Sequence, residues 1–535
     1  MADSRTNQAW PPRYRETTLD RPLPVPYLER KPGKADIRTG RQLLTDDYLI
    51  ESTTLERRFH RPEVREAPIL TPETPLEMNG GFCPCACPFG DGICYDEREG
   101  IFRLWYHAGW FDEIGYAESR DGIHFTRVAA ESGSGLLERV PGRMRDGASV
   151  WLDRNARDEA ERFKMMVFFR TLEPSVRYYH QLPRHRHDDP ATKAPPERLA
   201  LFASPDGIHW QERKNATLAG DNSSFYYDPF RKKWVFSLRT FSALDSRVRT
   251  RGYVEAEDFF AGSSWRAEDV RFWSRTDLLD RPDPELGYYT QLYSLNAVAY
   301  ESLMLGMMGV FTGPPNDVAE KQGLPKRIEL KTVFSRDGFH WQRGSYEPFI
   351  AGSGQAGTWN YGYAHAANGL CTVVGDQLYF YVSFFSGRSP AFGSHLYAGG
   401  STALAVLRRD GFASLETDGT GEMQTVPLQY AGKCLFVNAD CPKGLLQAEV
   451  QTAEGQPVAQ YTLADCDPVR CDGTAVHVTW HGKDLPDFPG QAEIRLRFRL
   501  AAGALYAFWI ADDSRGKSRG FLGAGSPGSI NGMDL

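Results

Sequence analysis

Apolar and polar positions alternate with period two along most of this chain, as in residues 102–106, 199–203, 434–438, 476–480, 494–500 and 504–509. Alternation of this kind predicts β-strands with one buried face rather than helices. Between the strands a short signature recurs: Ser, any residue, Asp, Gly, and an aromatic three residues after the glycine. Intact copies run from Ser119 through Asp121 and Gly122 to Phe125, from Ser204 through Asp206 and Gly207 to Trp210, and from Ser335 through Asp337 and Gly338 to Trp341. Degraded copies lie at 274–278 and 408–412, so the starts are 85, 70, 61 and 73 residues apart. Each copy reads as a tight turn, since Asp bonds backbone two residues on and Gly supplies a positive φ. A period of this length suits one four-stranded sheet with its loops. Sheets that must bury two faces and an edge do so by closing radially, so the expected fold is all-β: a five-bladed β-propeller followed by a C-terminal β-sandwich.

The punctuation of the chain divides it further. Residues 1–75 are Pro-rich and charged and are expected to form an N-terminal arm across the propeller. The repeats span 76–415. Alternating strands at closer pitch over 416–513 predict the sandwich, and the Gly- and Ser-rich stretch 514–535 predicts a flexible tail.

Composition narrows the function. The 535 residues carry a net charge of −7, which disfavours a polyanion-binding surface and hence nucleic acid. No stretch is apolar over the roughly 20 residues a bilayer demands, and residues 1–8 show no apolar signal core. The cytoplasm and reduced thiols are the expectation for the nine cysteines. Cys83, Cys85 and Cys87 would face one way in a strand, as buried thiols in preference to a soft-metal site.

In a propeller the first strand of each repeat lines the axis, so acids there converge on one pocket. Asp91, Asp146 and Asp221 hold such positions, while Asp96, Asp153 and Asp228 fall at the following hairpin turns. Carboxylates gathered in one pocket push their pKa values apart, which suits glycosidic cleavage by an acid and a nucleophile or base. The alternatives are turn-forming aspartates and ligands of a structural cation such as Ca2+ at the axis; no other metal or cofactor is expected. Glu301 is the one glutamate in a first-strand segment of the later repeats. Asn296 and His365 are candidates to bond sugar hydroxyls, and Trp359 or Tyr361 to stack on a sugar ring. Arg145 and the cluster Arg239, Arg247, Arg249 and Arg251 are candidates to hold a carboxylate or phosphate on the substrate.

This combination of axial acids and a trailing sandwich resembles glycoside hydrolase families 32 and 43, and in particular bacterial family-32-like proteins that share residues 40–51 (Gly40 to Glu51) and 465–470 (Asp465 to Arg470). Arg145-Asp146-Gly147 resembles the family's Arg-Asp-Pro motif, which implies a transition-state stabiliser at Asp146. Met78-Asn79-Gly80 keeps a fragment of the nucleophile motif without its aspartate, which brings in Asn79 as a substrate-binding candidate and leaves Asp91 as the substitute nucleophile. No Glu-Cys pair exists, so the acid falls to Asp221 or Glu301. The resemblance implies an exo-acting glycoside hydrolase releasing a terminal sugar, possibly a furanose, from an oligosaccharide. The rivals are a non-catalytic carbohydrate-binding propeller and a glycoside phosphorylase. Sialidases share the turn chemistry, but five repeats and not six are counted here.

Overall fold

The computed structural model describes residues 10–128, 135–137, 143–171, 198–216, 219–282, 289–486 and 493–535; the leader expectation for residues 1–8 lies outside them. Strands dominate, and the α-helices among the described residues are the short Pro26–Glu29, Pro75–Met78 and Asn316–Gln322. No described helix is long and apolar enough to cross a membrane.

Five inner strands organise the repeat region: Cys85–Asp96, Arg143–Leu152, Ser224–Asp228, Gln291–Glu301 and Gly362–Val374. Each leads an antiparallel meander. The first continues through Ile101–Ala108, Glu113–Ser119 and Thr126–Arg127, and the second through Phe163–Thr171, Arg198–Ser204 and Gln211–Ala216. The third continues through Lys233–Phe241, Arg249–Ala256 and Arg271–Ser274. The fourth adds Leu303–Gly313 and Arg327–Ser335, with a single outer bridge from Phe334 to Gln342. The fifth adds Gln377–Phe385 and Gly400–Arg408, and its outermost strand is Glu63–Val64, from far earlier in the chain. The first inner strand runs parallel to the second and to the fifth, and every inner strand packs on the next around the set.

The recurring turn lies between the third and fourth strands of its sheet, and its chemistry repeats. Ser119 Oγ accepts the Gly122 N–H, Asp121 Oδ1 accepts the N–H groups of Ile123 and His124, and Asp121 Oδ2 pairs with His124 Nδ1 at 2.7 Å. The Ser204 and Ser335 copies repeat the bonds. Each turn also locks onto the preceding sheet. Trp105 Nε1 of the first sheet donates to Gly207 O of the second, and Trp273 Nε1 of the third to Phe339 O of the fourth. Tyr381 Oη of the fifth donates to Gly122 O of the first. In the degraded last copy Tyr300 Oη of the fourth sheet bonds Asp410 Oδ1 of the fifth.

The C-terminal unit is a ten-stranded network centred on the long strand Ile494–Ala511, which pairs with Ala413–Thr425, Cys434–Asp440 and Leu445–Thr452. Its core joins Leu446, Val450, Trp480, Phe498 and Phe508 to Leu44, Leu49 and Ile50. The arm expected over residues 1–75 is thus divided. Gln42–Leu43, Ile50–Thr53 and Glu56–Phe59 pair with strands of the C-terminal unit; Ile50 joins its core, while Leu43 and Phe59 pack into the core shared by the fourth and fifth sheets. The tail is also placed differently from the expectation. Phe521–Leu522 pairs with Tyr300 and Glu301, and Ser518 and Asp534 are buried. Its glycines serve contact here: a Cβ on Gly523, whose φ is +60°, would lie 2.5 Å from Cys371 O.

Candidate active site

Four of the five inner strands break register near one end, and the broken stretches carry the residues that meet at the axis. The slips fall between Cys87 and Gly92, between Arg145 and Ala148, between Leu292 and Ser294, and between Gly362 and His365. A bulge turns a side chain that the pleat would have hidden. Phe89, Asp146, Tyr293 and Tyr363 stand in these slips. All four line a cavity of about 180 Å³, together with Trp110, Phe111, Arg170, Asp221, Arg239, Arg249, Asn316, Lys326 and Tyr397. Every one of the five sheets contributes.

Asp146 and Asp221 meet across this cavity. Arg170, on the strand paired with that of Asp146, donates from Nη2 to Asp146 Oδ2 at 2.5 Å and to Asp221 Oδ2 at 2.7 Å, and from Nε to Asp146 Oδ2 at 2.9 Å. Two oxygens on one nitrogen are no farther apart than those bonds laid end to end, about 5 Å, so the two carboxylates are close enough to flank one substrate bond. Arg239 holds Asp221 from the other side. Burial, together with Arg249 and Arg170, lowers the Arg239 pKa. Opposite the acids Tyr397 stacks on Trp110 at 4.5 Å, and the hydroxyls of Tyr293 and Tyr363 bond at 2.9 Å.

The other sequence candidates lie elsewhere. Asp91 is fully buried beneath the floor, does not line the cavity, and accepts from Phe89 N at 2.9 Å and Arg145 Nη1 at 3.1 Å. Burial raises its pKa, and Arg145 opposes the rise. Arg145 is therefore a partner of Asp91 and not a wall residue. His365 lies under Phe89, with ring centroids 4.5 Å apart, and burial lowers its pKa to about 4. Asn79 donates to Asp112. Asn296 is buried within its strand. Trp359 donates to Glu66 O and packs on Phe384, and neither it nor Tyr361 reaches the cavity.

Glu301 is the clearest correction. It ends the inner strand that Tyr293 begins, eight residues away and thus on the order of 25 Å along a strand. There Arg409 pairs with it at 2.9 Å, and the Arg41 amide and the Ser518 hydroxyl donate to it. Its place at the hairpin, matching Asp228, makes it structural.

Arg170, Lys326, Tyr363 and Tyr397 were missed as wall residues by sequence reasoning. A signal existed for the bulges alone, because Gly90, Gly147 and Gly362 interrupt strand patterns where register slips. The calcium option at the axis meets arginine instead, since Asp91, Asp146 and Asp221 each pair with one. Cys83, Cys85 and Cys87 are buried thiols, with Cys83 Sγ 3.2 Å from His395 Nδ1. Among the described residues one mixed group, Cys434, His477 and Asp484, has donor atoms within 4.8 Å of one another, in the C-terminal unit.

No family model and no curated protein matches the chain. Among solved structures it is similar to a glycosyl hydrolase from Bacteroides ovatus, at 12% identity and TM-score 0.40 over 69% of this chain and 97% of the other. It is similar to a thermostable family-43 glycoside hydrolase at 10% identity and TM-score 0.39, over 62% and 96% of the two chains. A β-1,2-mannobiose phosphorylase from Listeria innocua aligns at 13% identity and TM-score 0.40, over 65% of this chain and 96% of its own.

Proposed function

We propose that the chain is a glycan-acting enzyme, an exo-acting glycoside hydrolase whose five sheets form a five-bladed propeller braced by a β-sandwich. The observation that carries the reading is the Asp146–Asp221 pair, joined through one nitrogen of Arg170 in a cavity walled by aromatic rings, with the two bridged oxygens no more than about 5 Å apart. At that spacing one carboxylate attacks the anomeric carbon while the other protonates the leaving oxygen and then deprotonates water. Asp146 is the more buried and accepts two bonds from Arg170 on one oxygen, which fix its orientation and suit it to attack. Asp221 is the more open to solvent and passes the proton once the substrate draws Arg239 away.

Turnover of a panel of aryl glycosides tests this. Asp146→Asn and Asp221→Asn are each expected to lower kcat/KM by at least about 1,000-fold, with the product released in the configuration of the substrate by NMR. Undiminished turnover by Asp146→Asn would end the reading. Phosphorolysis is a second reading, favoured by the cations of the same wall; sugar phosphate formed on adding inorganic phosphate would mark it.

A further inference from the structure

Charge in the cavity does not balance. Its lining holds four cationic side chains, Arg170, Arg239, Arg249 and Lys326, against the two carboxylates of Asp146 and Asp221, in a chain whose net charge is −7. Arg170 and Arg239 are committed to those carboxylates. Arg249 and Lys326 are not, and among the described residues no carboxylate pairs with either; Arg249 Nη1 bonds Gln291 Oε1 at 2.8 Å. Lys326 is 3% exposed and donates a long bond, 3.4 Å, to the Tyr293 hydroxyl. The rings of Tyr293, Tyr363 and Tyr397 surround its Nζ at 5.2–5.3 Å. Behind them Arg251 is fully buried with Nε and Nη2 lacking partners. A buried ammonium without a counter-charge is costly, and burial with Arg249 as neighbour drives the Lys326 pKa well down.

We propose that this wall is the seat of an oxyanion borne by the substrate, so that the terminal sugar is a uronic acid whose carboxylate lies between Lys326 and Arg249. The assignment rests on the glycan-acting reading and adds the substrate class. Both cations flank one ring: Lys326 Nζ is 5.3 Å from the Tyr293 centroid and the Arg249 guanidinium carbon 5.5 Å. An anion attached to a sugar stacked on the tyrosines therefore falls between them. A carboxylate also offers the planar pair of acceptors that a guanidinium fork matches. A neutral sugar would leave both Lys326 and Arg249 without an acidic partner. Inorganic phosphate shares the oxyanion chemistry but would bind without a sugar.

Titration calorimetry separates these cases without relying on turnover. The probes are D-glucuronate, D-galacturonate, D-mannuronate and L-iduronate, the corresponding neutral sugars, and inorganic phosphate at constant ionic strength. At least one uronate is expected to bind 10-fold or more tightly than its neutral counterpart. Lys326→Met is expected to erase that preference while keeping or raising Tm, because it removes a buried amine held by a single long hydrogen bond. Asp146→Asn should keep uronate binding even when turnover is lost, so failure of the hydrolase reading and failure of the uronate seat are distinguishable. No preference for any uronate over its neutral partner overturns the proposal. Saturable binding of phosphate alone overturns it in favour of a phosphate co-substrate.

Discussion

At the residue scale, burial governs the acids of this protein unless an arginine answers it. Asp96 and Asp228 hold equivalent hairpin positions and differ in this respect. Arg103 and Arg162 grip Asp96 and lower its pKa, whereas burial lifts that of Asp228 to about 6, its Oδ2 lacking a hydrogen-bond partner. The folded protein thus keeps a proton on Asp228 between its ordinary value of 3.8 and about 6, where the unfolded chain has released it. Stability from this residue is complete below that window and is lost as pH rises through it. Asp228→Asn cannot ionise, so urea unfolding should show the variant gaining on the parent from pH 4 to 7, by on the order of 2 kcal/mol. A stability difference that stays constant over that range would show that Asp228 ionises as an ordinary aspartate.

At the scale of elements, the Ser-x-Asp-Gly turn is both a local structure and a clasp between sheets. Its glycine is needed twice over at Gly207, where φ is +80° and a Cβ would lie 2.6 Å from Trp105. Gly207→Ala is expected to cost about 2–4 kcal/mol, from left-handed strain plus overpacking, measured as a drop in denaturation midpoint. The turns and most strands were legible in the sequence because each is set by neighbours a few residues apart. Register slips are not, since they depend on a partner strand, so Asp146 was found as an acid at the start of a repeat's first strand while Tyr293 and Tyr363 were not found as a wall. The tail misled for the same reason. Gly- and Ser-rich composition reads as loose when its glycines answer to backbone elsewhere, as Gly523 does to Cys371. Lys326 and Arg170 carry no local signal of their role at all.

At the scale of the whole molecule, the end of the fourth inner strand remote from the cavity is held by charge. Glu301, Asp410 and Asp534 meet Arg41 and Arg409 where the fourth and fifth sheets, the tail and the C-terminal unit come together, and the Arg41 guanidinium lies 4.0 Å over the Trp509 ring. Glu301→Gln weakens the hold on two largely buried arginines, with Asp410 still facing Arg41 and Asp534 still facing Arg409. It should lower stability by about 1–3 kcal/mol while kcat/KM on an active substrate stays within about two-fold at a temperature where the variant is folded. A variant of unchanged melting behaviour and abolished turnover would return Glu301 to the chemistry.

The division of the N-terminal segment among distant partners has a consequence for biosynthesis. Residues 42–59 find their strand partners in Ala413–Thr425 and Ile494–Ala511, and Glu63–Val64 finds its partner in Gly400–Arg408. A ribosome delivers the first of these stretches more than three hundred residues before the last. Until residues 413–425 and 494–511 are made the early strands have open edges and lack these partners, so closure of the C-terminal unit waits on the late strands.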